Sequence, residues 1–184
     1  NGDTHVFAPS PLVVAGDGAD RERISIAASA AGVDDRLHLM GRVADDLRDD
    51  LMVGADVFVQ PNVVVPGDME GFGLVAVEAA MSGTVVVASD LEGLGDAVED
   101  GVTGHLVTSG DVDAWVDELT RLLSDRDGLA RTAGGFRQAS IERNSIDVME
   151  AELERQLDAT RSGSTMQTTD DRTYYETSYH FEQD

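Results

Sequence analysis

Neither cysteine nor lysine occurs in this 184-residue chain, and each absence removes chemistry. Without cysteine there is no disulfide and no thiolate metal site. Without lysine no Schiff base can form, which excludes pyridoxal-type catalysis, and a Walker-type phosphate loop cannot be built. No apolar run approaches the length of a membrane span, and the first residues lack the charged-then-apolar pattern of a signal peptide. The expectation is a cytoplasmic protein of one domain, since the length is short for two.

Positive charge is the other scarcity. Thirteen basic residues, all arginine, face 36 acidic ones, giving a formal net charge of −23. Aspartate outnumbers glutamate, and the acids are spread along the whole chain. This acidic, halophilic composition reads as adaptation to high intracellular salt, where a short screening length weakens self-repulsion. A nucleic-acid binder should present a basic patch, and none is visible, so no nucleic-acid partner is expected.

What is present is organised around Met69 to Gly83, MEGFGLVAVEAAMSG. An apolar run, Asp56 to Gln60, precedes it, and another, Val85 to Ser89, follows. A strand, a glycine-punctuated loop and a helix start form an arrangement that suits anions. The first-turn N–H groups lack helical partners, the helix dipole favours negative charge, and glycine permits close approach. Glu70 and Glu78 flank the turn with seven residues between them. A carboxylate can accept hydrogen bonds from paired sugar or ribose hydroxyls, so the combination suggests a nucleotide-sugar site. The plainer reading is a surface loop with a solvated glutamate, the commoner state of charged side chains.

The run QPNVVVPGDMEGFGLVAVEAAMSGTVVVASDLEGLGDAVEDGVTGHLV resembles the C-terminal, donor-binding half of group 1 retaining glycosyltransferases of the GT-B fold. The glutamate pair, the EGFG turn, the EAA helix, the small-residue–glycine pair before a valine strand and the DGVTG loop come in that family's order. The resemblance covers roughly Pro11 to Leu157 and implies a nucleotide sugar as ligand. It implies that Glu70, the expected catalytic residue, holds the transferred sugar or its neighbouring phosphate, and that Glu78 holds the ribose hydroxyls. The turn of Gly71, Phe72, Gly73 and Leu74 would meet the sugar and diphosphate, with the amides of Phe72, Gly73 and Leu74 making the contacts. Gly16 would contact the nucleotide side of the cleft through its backbone, and Gly41 to Val43, including Arg42, the base. Asp96 stands where the family has glutamate. No metal and no cofactor is expected, because the family generally needs none.

Along the chain, strands are expected at Leu12–Ala15, Arg36–Met40, Asp56–Gln60, Val85–Ser89 and Gly101–Val107. Helices are expected at Asp20–Ala31, at Asp45–Val53 with Leu47, Leu51 and Met52 as its apolar face, and at Val112–Ser124. Two more are expected at 129–140 and 146–157. Short apolar strands alternating with helices predict an α/β, Rossmann-like parallel sheet covered on both faces, with ligands at the carboxyl ends of the strands. His38 reads as structural and Trp115 as core. Residues 160–184 turn to Ser, Thr, Gln and Asp without periodicity and carry all three tyrosines, Tyr174, Tyr175 and Tyr179. They predict a disordered tail, with docking of its aromatics on a partner as the minority reading. Residues 1–159 form the expected partial donor-binding domain.

The resemblance also implies what is missing. A complete enzyme has an acceptor-binding half, and its donor half opens with a strand–helix unit that ends in a basic pair. That strand lies between the counterparts of Leu12–Ala15 and Asp56–Gln60. His5-Val6-Phe7 cannot replace it in parallel orientation, because a parallel crossover needs a dozen or more residues. A sheet with a gap or unpaired edges is therefore expected, completed by a second chain or by the missing N-terminal acceptor domain. Membrane contact is expected only through that missing half, which would leave the complete enzyme peripheral to the membrane. The leading expectation is the donor-binding half of a hexosyltransferase using a UDP- or GDP-sugar, inactive alone. A non-catalytic remnant that binds nucleotide sugar or a partner, and a nucleotide-sugar epimerase of the same fold, stay open.

Overall fold

The computed structural model describes residues 10–65, 73–91 and 93–161. In chain order the elements are β1 (Leu12–Ala15), α1 (Arg21–Ala30), a 3-10 turn (Asp34–Arg36), β2 (Leu37–Gly41), α2 (Asp45–Gly54), β3 (Val57–Gln60), α3 (Leu74–Ser82), β4 (Val85–Asp90), α4 (Leu94–Ala97), β5 (His105–Thr108), α5 (Val112–Ser124), α6 (Arg126–Arg143) and α7 (Ile146–Arg161). The chain divides into two compact units, Asn1–Asn144 and Ser145–Asp184; α7 lies in the second. It runs to Arg161, just past residue 160 where the polar tail is expected to begin, and 162–184 lie outside the described residues. No helix among the described residues is long and apolar enough to cross a membrane.

Every strand ladder is parallel, as the alternation of strands and helices predicts. β4 is the centre of a three-stranded sheet ordered β3-β4-β5. Its β-branched residues suit an extended chain packed on both faces, and Val85, Val86, Val87 and Ala88 are all fully buried. Val86 and Ala88 point into one apolar cluster with Ala76, Ala79 and Ala80 of α3 and Leu94 and Ala97 of α4. Val85 and Val87 point the other way, into a cluster with Val107, Leu122, Leu129 and Phe136, against which Trp115 packs. The period-two alternation of a strand thus assigns each valine its layer. α5 and α6 close the second layer, each started by an aspartate whose carboxylate accepts a first-turn amide: Asp111 from Ala114 at 3.0 Å and Asp125 from Gly128 at 2.8 Å.

β1 and β2 form a separate two-stranded sheet. Among the described residues no ladder joins it to the other, so the sheet is divided and has unpaired edges, with β1 and β3 each unpaired on one side. The consequence for burial is large. Leu12 is 54% exposed where Val85 to Ser89 of the central strand β4 are at zero, and Val13, Met40 and Ile26 are exposed as well. Leu47, expected on the apolar face of α2, is also exposed; of that face only Met52 is buried. A further difference lies at the last strand, which is confined to His105–Thr108. Residues 101–104 turn back on themselves instead, with the Gly101 amide donating to the Gly104 carbonyl at 2.8 Å. The short helix α4 also goes beyond what the sequence predicts, because four residues leave no periodicity to read.

Local stability follows buried apolar contact and protected hydrogen bonds. Amide hydrogen exchange of the chain should therefore show β4 and α3 protected by about a hundredfold or more over β1, roughly the factor that 3 kcal/mol supplies. Equal protection of β1 and β4 would contradict the two-sheet arrangement.

Candidate functional site

The loops that leave the carboxyl ends of the strands hold the residues singled out from the sequence, in two groups. The first belongs to β1 and β2. Gly16 follows β1, and its amide donates to the Gly41 carbonyl at 2.8 Å, locking the two strand ends together. Gly41 has φ +70°, a conformation that suits glycine and lets β2 turn sharply into Arg42 and Val43. Arg42 is exposed and Val43 half-buried. Beside them the Arg21 guanidinium donates to the Leu39 carbonyl at 2.9 Å. A cavity of about 270 Å³ opens here, lined among others by Gly16, Asp17, Gly18 and Arg21.

The second group surrounds the start of α3. Gly73 caps this helix with φ +71°, and it is buried. A Cβ at Gly73 would stand 2.7 Å from Leu94 Cδ2 and 3.3 Å from Ala97 Cβ, so α4 packs directly on the N-terminus of α3. Glycine is required here by backbone conformation and by space alike. Leu74 opens the helix with its side chain exposed. Glu78 lies one turn on, exposed as well, and its charge reaches across to α2. There the Arg48 guanidinium is held above its ordinary value, chiefly by the hydrogen bond and charge of Asp49, with smaller contributions from Asp45 and Glu78. Glu70, Gly71 and Phe72 lie outside the described residues. The structure thus gathers Gly16, Arg42 and Val43 on one sheet's carboxyl end and Gly73, Leu74 and Glu78 on the other's.

Two features of α3 decide what its N-terminus can do. No side chain caps it, and its first turn contains no acidic residue. The other α-helices of this acidic chain (α1, α2, α4, α5, α6 and α7) each carry an aspartate or glutamate in the first turn. Elsewhere, then, the chain supplies its own negative charge to the helix dipole. At α3 the first turn supplies none, and a helix N-terminus of that kind favours negative charge.

Residues that sequence reasoning passes over hold this end in place. Ser89, near the carboxyl end of β4, and Ser109, just after β5, both donate to the Asn62 carbonyl, at 2.7 and 2.9 Å. They clamp the chain just after it leaves β3. The readable signal was a serine inside the valine strand, Ser89, which is fully buried. At the far end of α3, Arg137 of α6 donates to the Met81 carbonyl at 3.0 Å, satisfying an end-of-helix acceptor. Nothing in the sequence pattern marks that pair, since 56 residues separate the partners.

The Gly73–Leu94 contact predicts a measurable coupling. Gly73→Ala should lower stability by about 1–3 kcal/mol through strain and overpacking, and Leu94→Ala by about 2–5 kcal/mol through the cavity it leaves. In urea unfolding the double variant should lose less than the sum, by about 0.5–3 kcal/mol, because the shortened side chain makes room for the new methyl. Strict additivity would refute the contact.

Comparison with known proteins agrees with this arrangement. D-inositol 3-phosphate glycosyltransferase of Nocardia farcinica is 40% identical over 98 residues, half of this chain and 22% of that protein. Phosphatidyl-myo-inositol mannosyltransferase of Mycobacterium leprae is 33% identical over 117 residues, 64% of this chain and 29% of that protein. Among solved structures, Alr3699/HepE of Anabaena in complex with UDP superposes with a TM-score of 0.68 at 22% identity, over 82% of this chain and 41% of that one. The chain therefore spans less than half the length of each of these proteins, and the fold it shares with HepE is the expected α/β arrangement of parallel strands and flanking helices. Residues 7–139 match the family described as glycosyl transferases group 1, and to that family the chain belongs.

Proposed function

We propose that this chain is the nucleotide-sugar-binding half of a retaining glycosyltransferase that moves a hexosyl group from a UDP- or GDP-sugar to an acceptor hydroxyl. The observation that carries the reading is the N-terminus of α3, uncapped, free of acid in its first turn and placed at the carboxyl end of a parallel sheet. A diphosphate is the anion such a site accommodates, and its charge grows as the bond to the sugar breaks. The relatives' names supply the reaction class, and the complexes of HepE with UDP and with UDP-glucose make a uridine nucleotide the first donor to try.

In the reaction the bond between the anomeric carbon and the diphosphate oxygen breaks, and the electron pair leaves with the nucleoside diphosphate. The acceptor oxygen bonds to the same face of the sugar. The leaving phosphate takes the acceptor's proton, so the chain need not supply a side-chain base. The amides of Phe72, Gly73 and Leu74 hold sugar and diphosphate, Gly71 gives the backbone room, Glu78 accepts from the ribose hydroxyls, and Glu70 engages the transferred sugar. Gly16, Arg42 and Val43 face the nucleoside. No metal is called on. A hydrolase reading of the carboxylate pair leaves the acid-free helix end without a purpose, since hydrolysis has no diphosphate to bind.

A second reading is favoured by the unpaired edges of β1 and β3. With the acceptor half supplied from elsewhere, by a second chain or by further residues of a longer protein, this unit binds the donor and turns nothing over by itself.

Calorimetric titration in molar potassium chloride with UDP, GDP and their hexoses tests both readings. One nucleotide series should bind, and Glu78→Ala should weaken it by about 10- to 100-fold, the worth of hydrogen bonds to a charged group. Transfer to an acceptor should be undetectable with the chain alone and appear when an acceptor half is added. A folded chain that binds neither series refutes the donor-binding reading.

A further inference from the structure

Gln60 closes β3, one residue before the chain turns into the loop that leads to α3. Its register partner on β4 is Ala88, as Phe58 pairs with Val86. Residues paired across a ladder project to the same face. Val86 and Ala88 belong to the cluster formed with α3 and α4, and Phe58 packs on that cluster too. The Gln60 side chain therefore lies on the α3 side of the sheet, at the end from which α3 begins. Its carbonyl oxygen, Oε1, is shielded from solvent and has no hydrogen-bond partner. Among the described residues the other such side-chain oxygen is that of Ser140, inside α6. A shielded amide oxygen without a donor loses its hydration for nothing in return, and native chains seldom keep one without a use.

We infer that Gln60 is a donor-specificity residue, whose amide oxygen accepts a hydrogen bond from a hydroxyl of the transferred hexosyl group. The inference rests on the donor-binding reading above. Elimination by chemistry selects the sugar. The diphosphate is ionised and offers acceptors alone, so it has nothing to donate to a carbonyl oxygen. The ribose hydroxyls are assigned to Glu78, on the exposed face of α3 that looks toward α2. The base is assigned to the loop after β2, on the other sheet. The hexosyl hydroxyls are the donors left for a group beside the start of α3. The terminal amide turns about a soft, roughly two-fold torsion, so it can meet an arriving hydroxyl without backbone movement. Being neutral, it adds no charge that would compete with the diphosphate for the helix end.

The test uses Gln60→Met, which keeps length and removes both hydrogen-bonding groups. The whole chain and the variant are titrated with UDP, GDP, UDP-glucose and GDP-mannose, and the ligand-free proteins are melted. The variant should bind the free nucleoside diphosphates as the parent does and the nucleotide sugars about 5- to 10-fold more weakly, the factor expected for one neutral hydrogen bond. Its melting temperature should equal or exceed the parent's, because the oxygen has no partner to lose. Equal weakening of nucleotides and nucleotide sugars, no weakening at all, or a lower melting temperature with unchanged binding overturns the assignment while leaving the donor site standing. Failure of the folded parent to bind any of the four ligands overturns the donor-binding reading and this assignment with it.

Discussion

The double-sided burial of β4 is the constraint on which the rest of the described unit depends. A strand whose first five residues are buried must be covered on both faces and paired on both edges. Val86 and Ala88 call for α3 and α4, and Val85 and Val87 for the layer of α5 and α6. The position of the site follows from this. Once α3 lies on β4 through Ala76, Ala79 and Ala80, its N-terminus stands at the carboxyl end of β3, wedged against Leu94, and no side chain fits at Gly73. Packing and backbone conformation thus ask for the same glycine.

Charge is distributed with the same economy. With acid outnumbering base so heavily, arginines serve as ties between elements. Arg137 joins α6 to the end of α3, Arg143 joins α6 to Glu99 and to the Asp96 carbonyl of α4, and Arg21 joins α1 to β2. Three of these bonds run to backbone carbonyls, which a guanidinium can reach while presenting its other N–H groups elsewhere. The helix ends take up acid almost everywhere, and α3 is the exception. In so acidic a chain, a first turn without acid is a local departure from the pattern of the other helices, and salt screening weakens the repulsion an anion would meet from the rest.

The two sheets are unequal partners in this scheme. The β3-β4-β5 sheet owns the core, whereas β1 and β2 keep apolar side chains in water. A ligand held as proposed engages the carboxyl ends of both, with the nucleoside on Gly16, Arg42 and Val43 and the diphosphate and sugar on α3. Binding would then tie the less stable layer to the more stable one, and donor affinity would include the cost of ordering β1 and β2.

By itself the sequence determined the α/β class, the parallel direction of the strands, nearly all the helices and the expectation of an unpaired edge. The first three rest on local periodicity and on glycine at turns, which are written along the chain; the unpaired edge follows from the strand the resemblance implies is missing, together with the length of chain available for a crossover. It also singled out the stretch around α3 as a candidate site, because a strand, a glycine turn and an apolar helix come in order there. Tertiary structure alone decided the rest. That Gly73 is pressed by Leu94, that Ser89 and Ser109 converge on Asn62, that Arg137 meets Met81 and that Gln60 keeps an unpartnered oxygen are all matters of which distant residues become neighbours. Leu47 and Leu12 make the same point from the other side. Their apolar spacing predicts burial, but burial needs a covering element, and the described residues place none over them.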